Sequence, residues 1–256
     1  MFTRAIVRPP APNFSHGLTT AGLGAPDYEQ ALQQHANYCA ALVECGLKVI
    51  ALAPDKDFAD STFVEDTAVV TDHFAVLTRP GAPTRAGETA SMRRALAEFF
   101  PDLASIEAPG TVDGGDVCEA GNHFFIGISE RTNEAGARQL TALLAPFGYA
   151  GVSVDIRSER SLLHLKSGLA YLGENRLVVT EALAGRVEFG GYDQVLVNDA
   201  EAYAANCVRL NDFVLVAAGY PVFIKRLQDL GYRTIELEMT EFEKMDGGLS
   251  CLSLRF

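Results

Sequence analysis

Asp246-Gly247-Gly248-Leu249-Ser250-Cys251-Leu252-Ser253-Leu254-Arg255-Phe256 places a cysteine just after a glycine turn, at the head of a short apolar strand. Glycine lets the backbone bend sharply and leaves the next side chains at the strand mouth. Only one other Asp-Gly-Gly occurs, at Asp113-Gly114-Gly115 before Asp116, and it too opens a strand. Leu249–Phe256 reads as the first strand of a unit whose remaining parts lie at the opposite end of the sequence. Ala5–Val7 supplies its second strand. Pro26 and Asp27 start its helix, with Tyr28, Leu32, His35, Cys39, Leu42 and Val43 on one face, and Val49–Leu52 is its third strand.

The same strand-turn-strand-helix-strand pattern recurs four more times. The first of these units runs through Phe63–Val70, a turn at Thr71–His73, Phe74–Thr78, a helix near Glu88–Phe100 stopped by Pro101, and a strand at Ala104–Ala108. The next begins at Val112, turns at Gly121-Asn122, continues as Phe124–Ile128, starts a helix at Asn133 and closes with Val152–Ile156. A third begins at Leu163, turns at Gly173–Asn175, has a short or degenerate helix and closes with Gln194–Val197. The fourth begins at Ala205, turns at Asn211-Asp212, carries a helix after Pro221 and closes with Thr234–Glu238. Five such units, with the two chain ends sharing one, predict a closed ring and one domain over residues 1–256. Closure hides strand edges, as radial repetition does in propellers.

Composition narrows the function classes. An apolar content of 48% describes a globular chain, and 21 Lys plus Arg against 33 Asp plus Glu leave a net charge of −12. That surface argues against nucleic acid and anionic membranes and tolerates a cationic small ligand. Cys39, Cys45, Cys118, Cys207 and Cys251 are odd in number and form no Cys-x-x-Cys, which speaks against a disulfide framework or a structural zinc site. No stretch resembles a signal peptide or a transmembrane span, so a reducing cytoplasm is the simplest setting.

The repeat singles out polar residues at the heads of the first strands: Glu65 with Asp66, Asp113 with Asp116, His164, Asn206 and Cys251. Isolated buried charges need partners, and equivalent places around a ring would bring these side chains to one central pocket. Each also has a plainer reading. A free cysteine is usually a buried apolar residue, and for Cys39, Cys45, Cys118 and Cys207 that reading stands. His164 between leucines could be a satisfied core histidine, but beside a strand-head cysteine it becomes a candidate acid and base. Asp113 and Asp116 could cap turns, or a carboxylate could orient His164. Asp60, Glu65 and Asp66 crowd like charges that a guanidinium would satisfy. Arg85 and Arg131 precede helices and could be solvated, or could grip a substrate carboxylate. One acidic pole and one basic pole suit a zwitterionic amino acid with a cationic side chain.

At these residues the sequence resembles the dimethylarginine dimethylaminohydrolase family of the guanidine-modifying (pentein) superfamily. The resemblance is carried by residues 60–66, 78–82, 111–116, 131–133, 163–166, 203–207 and 246–251, and it spans essentially the whole chain in order. It implies a five-unit α/β propeller with pseudo-fivefold symmetry and a central active site. It implies Cys251 as nucleophile, His164 as general acid and base, and Asp113 as the carboxylate supporting the histidine and the substrate. Some relatives have glutamate at that place, so the reach of Asp113 differs. Asp66, with Glu65 nearby, matches the guanidino grip, and Arg85 and Arg131 match the carboxylate contacts. Asp60 and the backbone of Leu18 and Met245 match the amino-acid end, with Leu18 in a segment resembling the family lid.

The expected activity is hydrolysis of asymmetric dimethylarginine and monomethylarginine to citrulline, with no cofactor and no metal. The expected partner is the small substrate alone, and a homodimer is left open. Two alternatives remain. An arginine deiminase would release ammonia, although the chain lacks room for that family's inserted helical domain. A non-catalytic propeller module would leave Cys251, His164 and the carboxylates without a shared purpose.

Overall fold

Short apolar runs broken by tight polar turns produce fifteen short strands, and the computed structural model describes all residues 1–256. In chain order these are β1 (Arg4–Val7), α1 (Tyr28–Glu44), β2 (Lys48–Ala51), β3 (Ala68–Val70), β4 (Ala75–Leu77), α2 (Thr89–Leu96), β5 (Leu103–Ser105), β6 (Val117–Ala120) and β7 (His123–Ile128). Then follow α3 (Glu134–Leu144), β8 (Ala150–Asp155), β9 (Leu169–Gly173), β10 (Arg176–Thr180), β11 (Asp193–Val197), β12 (Val208–Leu210), β13 (Phe213–Ala217), α4 (Pro221–Asp229), β14 (Arg233–Leu237), α5 (Thr240–Glu243) and β15 (Ser253–Arg255).

The strands form five three-stranded sheets: β15-β1-β2, β3-β4-β5, β6-β7-β8, β9-β10-β11 and β12-β13-β14. In every sheet the middle strand pairs antiparallel with the first and parallel with the third. In four sheets a hairpin serves the first pairing, whereas β15 and β1 come from opposite ends of the chain; the parallel pairing needs a crossover. Four crossovers contain an α-helix. The one between β10 and β11 has only 3-10 turns at Glu181–Leu183 and Val187–Phe189, the degenerate helix foreseen in the third repeat. The split repeat is formed as the sequence predicts, with Ala5 opposite Arg255 on one side and Val49 on the other. Five copies of one strand order make a five-unit α/β propeller.

The chain divides into two compact units, residues 1–64 with 206–256 and residues 65–205. The first holds β15-β1-β2 and β12-β13-β14; the second holds the other three sheets. In the second unit, Leu140 and Leu144 of α3 pack on Phe124, Ile126 and Val76. A second cluster gathers Phe125, Val154, Leu169, Leu177 and Phe189. No helix is long and apolar enough to cross a membrane.

Helix starts are legible in the chain. Asp27 accepts from the Gln30 N–H at 2.9 Å, and Asn133 accepts from the Gly136 N–H at 2.8 Å, each satisfying an otherwise unpaired donor of the first turn. Three expectations need correction. The polar residues do not head the strands: they sit on or beside 3-10 turns just before them, at Val64–Thr67, Gly114–Asp116, Leu165–Ser167, Asp199–Ala205 and Ser250–Leu252. A strand would send Glu65 and Asp66 to opposite faces, whereas the turn buries both. The buried face of α1 is Ala31, Gln34, His35, Tyr38, Ala41 and Leu42, with Val43 exposed. Polar Gln34 is drawn in because its amide pairs with Thr240 and the Glu241 N–H. The helix α2 ends at Leu96, four residues short of Phe100, where the last turn tightens and the Glu98 and Phe99 N–H groups bond to the carbonyls three residues back, of Ala95 and Leu96.

Candidate active site

In the second unit, three 3-10 turns bring buried ionisable groups together. Asp113 is fully buried, and its Oδ2 lies 3.1 Å from His164 Nε2 while its Oδ1 accepts from the Gly81 N–H at 2.8 Å. Asp66 Oδ1 accepts from the Gly115 N–H at 2.8 Å. The approach is so close that a Cβ on Gly115 would lie 2.7 Å from His164 Nδ1 and 3.0 Å from Asp66 Oδ1. The glycine is therefore required by space here, not by a left-handed φ.

Burial by itself would strip the proton from His164. The Asp66 charge, the Asp113 hydrogen bond and the Asp116 charge outweigh it and push the imidazole up to about 9. Burial likewise opposes ionisation of Asp113, but the His164 hydrogen bond and charge hold its carboxyl below the usual range. The pair is an imidazolium and a carboxylate at neutral pH. Asp66, Asp113 and His164 each offer a donor atom within 4.8 Å of the others, a spacing that could hold a small cation. Protonated His164 already supplies positive charge to the two carboxylates.

The two candidate arginines differ. Arg85 is buried, with NH1 on Asp66 Oδ2 at 2.5 Å and with Nε and NH2 on the two Glu88 oxygens at 3.0 and 2.7 Å. Burial works against its charge, yet Asp66 and Glu88 hold the guanidinium protonated well beyond its ordinary range. Asp66 thus already grips a guanidinium, that of Arg85. Arg131 is half-buried in the turn before α3, its backbone N–H on Ser129 Oγ at 2.9 Å, and its side chain forms no ion pair. Of the two, Arg131 is the one whose charge is uncommitted. Glu65 is buried with Lys166 Nζ at 2.6 Å from its Oε1.

The first unit carries the remaining candidates. Cys251 is half-buried on the Ser250–Leu252 turn, where its Sγ accepts from the Gly248 N–H at 3.4 Å. That turn is pinned by Asn206, whose Oδ1 accepts from the Ser250 N–H at 2.8 Å and whose Nδ2 donates to Ser250 Oγ at 3.1 Å. A Cβ on Gly248 would sit 2.6 Å from Asn206 Cγ, so close approach again explains a glycine of the motif. In Asp246-Gly247-Gly248 the left-handed residue is Asp246, with φ of 56°. Its carboxylate takes the Thr20 N–H at 2.5 Å, and Thr19 Oγ1 donates to the Lys244 carbonyl at 2.8 Å, tethering the segment that contains Leu18. Asp60 takes the Leu18 N–H on both oxygens, at 3.0 and 3.2 Å. Met245 is buried with its methyl beside Gly17.

Cys45, Cys118 and Cys207 are buried core residues, and Cys39 is half-buried. Burial pushes the thiols of Cys39 and Cys45 up to about 11 and that of Cys118 up to about 12. Sequence reasoning missed Glu88, Lys166 and Ser129 as partners. Only Glu88, three residues after Arg85, left a local signal, the i,i+3 ion-pair spacing.

The first unit thus offers a half-buried cysteine on a pinned turn, and the second a protonated histidine on a buried carboxylate. No family model matches the chain. It is 44% identical over 257 residues to an N(G),N(G)-dimethylarginine dimethylaminohydrolase of Pseudomonas aeruginosa, covering 100% of both sequences. It is 34% identical over 253 residues to one of Streptomyces coelicolor, covering 98% of this chain and 96% of the relative. A solved structure of the Pseudomonas aeruginosa protein complexed with citrulline superposes with a TM-score of 0.97 at 44% identity, over 100% of both chains. Full-length identity at this level and a shared five-unit fold place the chain in the dimethylarginine dimethylaminohydrolase family.

Proposed function

We propose that the protein hydrolyses Nω-methylated arginines to citrulline and dimethylamine or methylamine, through a covalent intermediate on Cys251. The observation that carries this reading is the buried cluster in which Asp113 holds His164 at 3.1 Å beside the Asp66 carboxylate, on the fold of a relative solved with citrulline. In this reading Asp66 holds the substrate guanidinium in attack geometry, where resonance loss is most costly. The Cys251 thiolate adds to the guanidinium carbon. His164 gives its proton to the departing amine as the C–N bond breaks, leaving an S-linked thiouronium. Neutral His164 then takes a proton from water, whose oxygen adds to the same carbon. Collapse breaks the C–S bond and returns the thiolate, and the remaining hydroxyl proton passes to solvent, which leaves the urea group of citrulline.

Arg131 serves the substrate carboxylate in this reading. Its uncommitted charge favours it over Arg85, which is spent on Asp66 and Glu88. Asp60, with the backbone of Leu18 and Met245, receives the amino group, and Glu65 assists Asp66 through its pair with Lys166. The five units act as one catalytic domain, working in the cytoplasm as a monomer or a homodimer. The test is a product assay on asymmetric dimethylarginine and arginine. Citrulline with an equal amount of dimethylamine is expected; arginine turnover with ammonia as the dominant product would replace this reading with a deiminase.

A further inference from the structure

We infer that Asp116 is a positioning residue that fixes both the histidine-bearing turn and the Arg131 turn, so that one buried carboxylate aligns the two ends of the substrate site. The inference rests on the functional reading above. Asp116 is fully buried in the second unit, and its two oxygens face different ways. Oδ1 accepts from the Leu165 N–H at 2.9 Å, the residue next to His164. Oδ2 accepts from Ser129 Oγ at 2.7 Å. Ser129 Oγ in turn accepts the backbone N–H groups of Arg131 at 2.9 Å and Thr132 at 3.1 Å. Thr132 Oγ1 accepts from the Asp113 N–H at 3.0 Å. From β7, Gly127 leaves the room this needs: a Cβ there would lie 2.8 Å from Asp116 Oδ1 and 2.9 Å from Leu165 Cβ. The chain of bonds runs from the base's own turn, through Asp116, to the arginine turn and back to the base's carboxylate.

Only a carboxylate completes this network. Ser129 has spent its hydroxyl hydrogen on Asp116 and its lone pairs on two backbone donors, and Leu165 offers only a donor. An asparagine would have to aim its NH2 at one of them, so one bond is lost whichever way the amide turns. Asp116 also bears on the proton of His164, beside the Asp66 and Asp113 charges. Burial pushes Asp116 itself up to about 6, against the His164 charge and the Ser129 and Thr132 hydroxyls, so it is ionised at neutral pH.

The test compares D116N and S129A with the wild type in citrulline assays across pH, after circular dichroism confirms folding. In D116N, kcat is expected to fall about tenfold or more from misplacement of His164. Its KM rises, and the alkaline limb of the kcat profile moves down by about one pH unit as a nearby negative charge is lost. In S129A the Asp116 charge remains, so KM rises while the alkaline limb stays in place. A purely structural role would move neither limb, and wild-type KM with an unmoved limb in folded D116N would overturn the inference. Should D116N not fold, an unchanged KM in S129A overturns it. NMR titration of the His164 imidazole in wild type and D116N separates this inference from the functional reading, because it needs no turnover. A lower imidazole pKa in D116N supports the Asp116 role even in a protein that releases no citrulline, and an unchanged value sinks it even in an active one.

Discussion

Replacing Gly115 with alanine asks how tightly the acid–base pair is packed. The backbone at Gly115 is not left-handed, so alanine carries no conformational penalty there. Its methyl carbon would lie 2.7 Å from His164 Nδ1, 2.9 Å from His164 Cγ and 3.0 Å from Asp66 Oδ1. An ordinary contact between such atoms is about 3.5 Å, so the ring or the turn must retreat by roughly 0.5 to 1 Å. Both His164 and Asp66 are buried, and neither ends a flexible chain that could swing away. A shift of that size in a reacting group costs up to about 100-fold in rate, and overpacking a filled site costs about 1–3 kcal/mol of stability. G115A is therefore expected to stay folded, with a Tm a few degrees lower and kcat for citrulline release reduced about 10- to 100-fold. Steady-state kinetics beside a thermal melt decide it. A folded G115A with kcat within twofold of wild type would show that His164 need not stand where the contacts place it, and the packing argument would fail.

Other expectations follow from the same contacts. C251S should fold as the wild type does, since Asn206 pins the turn through Ser250 rather than through the thiol, yet release no citrulline; wild-type-like turnover would end the nucleophile assignment. His35 is buried on α1, and burial, partly offset by the Arg8 backbone, lowers its imidazole from 6.5 to about 4. The unfolded chain therefore binds a proton the folded one refuses, and stability falls as pH drops from about 6.5 toward 4, by on the order of 3 kcal/mol. H35Q should flatten that part of the urea-midpoint against pH curve; an equally steep curve would exclude His35 as its source. The raised His164 works in the opposite sense. Its contribution is complete below about 6.5 and fades as pH rises through about 9, and loss of citrulline release over the same window is expected of the wild type.

Much of this was legible along the chain because it is local. Paired apolar runs around a short polar turn mark hairpins, and Asp27 and Asn133 announce helices by chemistry that acts within three residues. The repeat could be recognised because each sheet uses one strand order, and it exposed the split unit formed by Ala5–Val7 with the C-terminal strand. The 3-10 turns were not legible, since runs of three or four residues, or seven broken at Glu201, are too short to show a period. The commitment of Arg85 to Asp66, the pairing of Lys166 with Glu65 and the bridge from Asp116 to Leu165 were hidden for another reason. They join residues 19, 101 and 49 positions apart.

The amino-acid sequence by itself determined the five-fold repetition, the order of strands and the residue types available for chemistry, because period, turn preference and capping depend on near neighbours. It also singled out Cys251, His164 and Asp113 before any contact was known. Tertiary structure decided which charges meet. Folding gathers the Asp66, Asp113 and Asp116 carboxylates around His164 and keeps it protonated against its burial, commits one arginine to Asp66 and Glu88 while leaving Arg131 unpaired, and makes glycine obligatory at Gly115 and Gly248. Ionisation and close approach depend on what surrounds an atom in space, and only the folded chain specifies that.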